Sequence, residues 1–130
     1  ILFISLLSSP SWSQTWDDLV WRDGLYYEMF SDVPFTGKIT GLEQGSFENG
    51  KKEGAWVWYY SSDRLHKKAN YKNDKYEGAF VSYWPYYGQL SSKGNWKNGQ
   101  REGTWVDYNE DGTIDTVWSG TYKNGKRISD

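Results

Sequence analysis

Cysteine is absent from the 130 residues, histidine occurs once (His66), methionine once and proline three times. Without cysteine there is no disulfide framework, thiolate nucleophile or Cys-based zinc site, and a single histidine cannot build a multi-histidine metal centre. Fifteen Lys+Arg stand against 17 Asp+Glu, a formal charge of −2. The chain therefore lacks the basic excess of a nucleic-acid binder. The apolar run Ile1–Leu7 falls far short of the ~20 residues that span a bilayer. What is abundant is aromatic and small: 9 Trp, 11 Tyr, 5 Phe and 14 Gly. Aromatics at 19% place the chain among ordered proteins, with length enough for one domain. A hydrophobic fraction of 37% beside so much glycine predicts a thin or extended core.

The two ends differ. Ile1–Leu7, then Ser11 and Ser13 at small-residue positions, have the form of a signal-peptide tail cleaved before Gln14, which predicts a secreted or periplasmic protein. Residues 1–13 are thus expected to be a signal-peptide remnant and residues 14–33 an acidic cap. In the cap Asp17, Asp18, Asp23, Glu28 and Asp32 face only Arg22, a charge of 1 − 5 = −4.

From residue 34 to 130 the chain repeats. Phe47-Glu-Asn49-Gly50-Lys-Lys-Glu53-Gly54-Ala-Trp56-Val57-Trp-Tyr59 is followed by Tyr71-Lys-Asn73-Asp74-Lys-Tyr-Glu77-Gly78-Ala-Phe80-Val81-Ser-Tyr83. A third copy runs Trp96-Lys-Asn98-Gly99-Gln-Arg-Glu102-Gly103-Thr-Trp105-Val106-Asp-Tyr108, and a fourth begins at Tyr122-Lys-Asn124-Gly125. The anchoring asparagines 49, 73, 98 and 124 are 24, 25 and 26 apart, a period of stacked supersecondary units. Pro34-Phe35-Thr36-Gly37 opens a degenerate earlier copy.

Each copy reads as a β-hairpin. The Gly-x-Trp-Val-x-Tyr run has strand propensity, and the Asn-Gly pairs suit turns that require positive φ, with Asp74 a mildly strained substitute. Trp56, Phe80 and Trp105 are predicted to share one face, while Val57 with Tyr59, Val81 with Tyr83 and Val106 with Tyr108 share the other. Return strands are expected with Leu65, Ala69 and Tyr71, with Leu90, Gly94 and Trp96, and with Ile114, Trp118 and Tyr122 on their apolar faces. The last of these return strands is predicted to run unbroken from Ile114 to Tyr122. The fold class expected is all-β, with tandem antiparallel hairpins stacked into one elongated, twisted sheet.

The pattern (aromatic)-x-Asn-Gly-x-x-x-Gly-x-Trp-x-x-Tyr resembles the MORN-repeat variant found in many bacterial proteins, including a group assigned as antitoxins of toxin–antitoxin pairs. The resemblance covers residues 34–130, with Gly54, Trp56, Tyr59, Gly78, Phe80, Tyr83, Gly103, Trp105 and Tyr108 at the repeat positions. Asp74 for Gly, Phe80 for Trp and the Pro85 turn depart from it. It implies a protein-binding scaffold, a lipid-headgroup contact or an antitoxin.

Chemistry-bearing motifs are few. Asp107-x-Asn109-x-Asp111-Gly112-x-Ile114-Asp115 matches the first nine positions of an EF-hand loop, but position 12 is Trp118 instead of a bidentate Glu, so at most a weak calcium site is expected at Asp107, Asn109, Asp111 and Asp115. Gly45-x4-Gly50-Lys51 and Gly120-x4-Gly125-Lys126 lack the Ser/Thr and helix of a phosphate loop. Glu53, Glu77 and Glu102 occupy equivalent positions and are expected to form a solvated charge rail, not the asymmetric pair that a glycosidase needs. His66 is expected to be an exposed strand residue. No enzyme, no cofactor and no nucleic-acid partner are predicted. Trp58, Tyr60, Trp84, Tyr86 and Tyr87 exceed the template and are expected to form one exposed aromatic patch. That patch points first to protein binding through an aromatic sheet face, and alternatively to a glycan or cell-envelope ligand.

Overall fold

The computed structural model of the protein describes residues 14–130. The expected signal-peptide segment, residues 1–13, lies outside them. The described chain is all-β, with a 3₁₀ turn at Trp16–Asp18 and antiparallel pairing between all its strands. A separate two-stranded hairpin joins β1 (Leu19–Arg22) to β2 (Leu25–Glu28). The remaining strands are β3 (Gly37–Ile39), β4 (Glu43–Glu48), β5 (Lys51–Ser61), β6 (Arg64–Lys72), β7 (Lys75–Tyr76), β8 (Gly78–Tyr83), β9 (Leu90–Lys97), β10 (Gln100–Asp107), β11 (Gly120–Lys123) and β12 (Lys126–Ser129). They form one sheet in sequence order, with β7 paired to β6 beside the main path.

The turns follow from side-chain size. Asn49 and Gly50 have φ of 50° and 79°, and Asn98–Gly99 and Asn124–Gly125 repeat the pair, the left-handed geometry of tight hairpin turns. Asp74 adopts φ 65°, and its carboxylate accepts the Lys52 backbone N–H at 2.6 Å, which offsets the strain expected there. Asp23–Gly24, at φ 50° and 82°, makes a further turn of the same kind inside the segment read as an acidic cap.

Gly54, Gly78 and Gly103 also sit at positive φ. Register shifts fall beside Gly54 and Gly103, so these glycines act as bulge residues that any side chain would strain.

Successive turns are linked by the glutamates expected to be solvated. The Glu53 carboxylate accepts the Asn73 N–H at 3.0 Å, Glu77 accepts that of Asn98 at 2.7 Å and Glu102 that of Asn124 at 2.9 Å. In the degenerate copy the Thr36 hydroxyl takes the same role toward Asn49 at 2.9 Å. The three glutamates are therefore acceptors tying each turn to the next, not a solvated rail. Glu77→Ala is expected to cost about 1 kcal/mol and Glu77→Gln about half that, since the amide keeps an acceptor without charge; urea midpoints of the two variants check this.

The core lies at the N-terminal end of the sheet and unites Leu19, Phe35, Ile39, Phe47 and Trp56. The segment before residue 34 belongs to it: Leu19 is buried, Trp16 meets Phe47 edge-on at 5.8 Å and Tyr26 lies tilted against it at 5.0 Å. Gln14 pairs with the outer edge of β3 through N–H and C=O bonds to Lys38 and Thr40, which covers that edge.

At the other end the expected long return strand is broken. Only Tyr108 and Ile114 bridge, and β11 begins at Gly120. Asp115 accepts the Val117 and Trp118 amides at 2.9 and 3.3 Å, a local side-chain turn that competes with the ladder. Ile114 and Trp118 are exposed, and of the three predicted apolar positions only Tyr122 is buried.

Candidate functional site

The two faces of the sheet have different chemistry, and successive residues of each strand divide between them. On one face the aromatic rings pack on each other. Trp56 meets Phe47 at 5.2 Å edge-on, Trp58 at 5.8 Å and Tyr71 at 6.0 Å. The series resumes through Tyr76, Phe80, Trp96 and Trp105. Cations cap it: the Lys52 ammonium lies 4.4 Å from the Trp56 ring and pairs with Glu43 at 3.1 Å, Lys67 lies 4.2 Å from Trp58, and the Arg101 guanidinium 4.1 Å from Trp105. Each such contact is worth ~0.5–1 kcal/mol or more where water is excluded. Burial, followed by the Tyr76 hydrogen bond, drives the Tyr71 phenol far above its ordinary range. This face is filled by its own side chains.

Of the expected aromatic patch, three members are half-buried and engaged in internal contacts. Trp58 is part of the stack, the Tyr60 hydroxyl donates to the Tyr83 carbonyl at 2.9 Å, and the Trp84 indole N–H donates to the Tyr108 carbonyl at 3.2 Å. Only Tyr86 and Tyr87, 66% and 96% exposed, remain free at the turn between β8 and β9. His66 is half-buried, not exposed, and stacks on Tyr60 at 4.2 Å. Burial, helped by the charge of Lys67, lowers its pKa from the ordinary value.

The calcium constellation is likewise dispersed. Asp107 binds Arg101 through both oxygens, at 2.7 and 3.0 Å, and accepts the Ser92 hydroxyl. Asp111 and Asn109 bond to Thr113, while Asp115 caps its own turn. Among the described residues no group of three carboxylate or imidazole side chains stands ready for a metal. The glycines of the phosphate-loop lookalikes have packing duties: Gly45 lies beneath Trp56, and Gly120 beneath Arg127.

On the opposite face a groove of about 1170 Å³ crosses β5, β6, β8, β9 and β10. Its central row alternates valine and lysine: Val57 pairs with Lys68, Lys68 with Val81, Val81 with Lys93 and Lys93 with Val106. A second row places Ala55 opposite Asn70 and Ala79 opposite Asn95. Tyr83, Leu90 and Tyr108 close one side. Tyr59, two residues beyond Val57 on β5, is not among the residues that line it. No carboxylate lines the groove, and among the described residues neither Lys68 nor Lys93 forms an ion pair.

The valines were legible as a ladder, whereas the lysines were missed. Lys68 and Lys93 are 93 − 68 = 25 residues apart, the step of the repeat, and that recurrence is the signal by which they are found. No family model, curated protein or solved structure matches the chain.

Proposed function

We propose that the protein is a non-catalytic binding module of MORN-like β-hairpin repeats whose partner is a protein seated in the Val57–Val106 groove. One observation carries this: a continuous apolar and cationic row, free of carboxylates, on the face that the aromatic stack leaves open. A contiguous, partly exposed apolar surface rimmed by polar groups marks a site of protein interaction, and Val57, Val81 and Val106 are only half-buried. The repeat reading is supported by the recurring asparagine turns, the glutamate links between them and the bulge glycines. Sugar stacking is less well supported, since Trp58 and Trp84 are committed to internal contacts. The setting we propose is extracytoplasmic, on the strength of the apolar run Ile1–Leu7 and the small residues Ser11 and Ser13. That setting disfavours an antitoxin, whose target would be intracellular.

The test is affinity capture from extracts of the source cells with the full chain, its Val81→Arg variant and its Tyr86→Ala/Tyr87→Ala variant. A stoichiometric protein held by the wild type and by the tyrosine variant, and lost from Val81→Arg, is the expected result. Capture of glycan alone, or loss only in the tyrosine variant, would move the site to the exposed turn and sink the groove reading.

A further inference from the structure

Given the binding reading above, the spacing of the groove defines what fits it. Paired strands lie about 4.8 Å apart. Val57, Val81 and Val106 are each separated by one intervening strand, so they recur about every 9.6 Å along the groove. Lys68 and Lys93 fall between them at the same interval.

A ligand lying along this row must repeat its own side chains at a matching distance. An α-helix turns every 5.4 Å, and a β-strand returns a side chain to the same face every ~6.7 Å. Neither keeps step with the row. A polyproline II chain has three residues per turn and rises about 3.1 Å per residue, returning every ~9.3 Å. Five strands span four spacings, about 19 Å, which is the length of about six residues of such a chain. Tyr83 and Tyr108, the next repeat-related pair toward the groove wall, supply the aromatic surface on which proline rings pack in grooves of this type.

Charge selects the sign of the partner. Lys68 and Lys93 are the groove's charged side chains, and both are exposed and free of carboxylate neighbours in its lining. We propose that the groove binds an acidic, proline-rich segment of a partner protein in the polyproline II conformation. One carboxylate in every third position meets Lys68 and then Lys93, while intervening residues rest on Val57, Val81 and Val106.

The probe is fluorescein-labelled (Glu-Pro-Pro)5, titrated with the full chain and followed by anisotropy, beside (Lys-Pro-Pro)5 and the flexible acidic (Glu-Gly-Ser)5. Saturable binding of the first peptide alone, weakened by salt, is expected. Lys68→Glu/Lys93→Glu should weaken it about tenfold or more, whereas Lys68→Arg/Lys93→Arg should keep it; near-UV circular dichroism shows that both variants retain the aromatic stack. Equal binding of the cationic peptide, equal binding of the Gly-Ser peptide, or indifference to the charge reversal overturns the proposal. Absence of peptide binding while Val81→Arg still abolishes capture of the cellular partner overturns the acidic polyproline II ligand and leaves the binding module standing. Absence of both results overturns the two together.

Discussion

Trp56→Ala should cost about 3–5 kcal/mol, the range for deleting a large buried aromatic, and lower the Tm by more than about 10 °C. Trp56 is fully buried, and its ring touches Trp16, Phe47, Trp58 and Tyr71 while its indole N–H donates to the Ser46 carbonyl at 3.1 Å. It also supports the Lys52 ammonium. A vacancy there strands the Ser46 carbonyl and removes one of the rings beneath Lys52, as well as leaving a void. Trp56→Phe keeps a ring and loses mainly the N–H, so about 1–2 kcal/mol is expected. The loss should also be local. Strands contact their sequence neighbours in this sheet, so amide exchange in Trp56→Ala should accelerate first in β4, β5 and β6, while β10 and β11 keep their protection. Urea unfolding with residue-resolved hydrogen exchange decides the matter. Uniform loss of protection across all strands would mean that the sheet opens as one unit.

The strands and turns were legible because their determinants are local. An Asn-Gly pair requires no partner to announce a turn, and Gly-x-Trp-Val-x-Tyr alternates within one strand. The unread parts are those in which one copy acts on the next. Glu53 looks solvated beside Lys52 in the sequence, yet the residue it bonds is Asn73, twenty positions on, and that pairing exists only once the register is known. Asp23–Gly24 went unread because Leu25-Tyr26-Tyr27-Glu28 follows it, without the Gly-x-Trp that identifies the later copies. The surplus aromatics were misjudged for the same reason: Trp58 and Trp84 have partners on neighbouring strands, and composition cannot distinguish a packed ring from an exposed one. Between Ile114 and Tyr122 the apolar parity suggested a strand, but the Asp115 carboxylate offers the backbone a closer partner and wins. The groove was half visible, as valines, because lysine on a strand reads as solvent-facing until its cross-strand neighbours are known to be apolar.

Gly94→Ala should destabilise the protein by about 2–3 kcal/mol through overpacking alone. A Cβ at Gly94 would overlap the Trp105 ring, and Gly45 stands in the same relation to Trp56. Neither glycine is among those with positive φ, so alanine meets no backbone strain and the collision is purely between side chains. The middle copy shows how the conflict is avoided. Ala69 occupies the equivalent station, eleven positions before Phe80 as Gly45 precedes Trp56 and Gly94 precedes Trp105 (69 to 80, 45 to 56, 94 to 105). Where the small residue gains a methyl group, the aromatic loses its second ring. The substitution of Phe for Trp that departs from the repeat is thus half of a matched pair. It follows that Trp105→Phe, costly by itself because the Asn95 carbonyl loses its indole donor at 2.9 Å, should become less costly in the Gly94→Ala background. A double-mutant cycle in urea is expected to give a favourable coupling of about 1–2 kcal/mol, and the Ala69→Gly/Phe80→Trp cycle should couple with the same sign. Strict additivity in both cycles would mean that the ring leaves its seat without regard to the residue beneath, and that the pairing of small and aromatic residues across these strands does not set the packing of the stack.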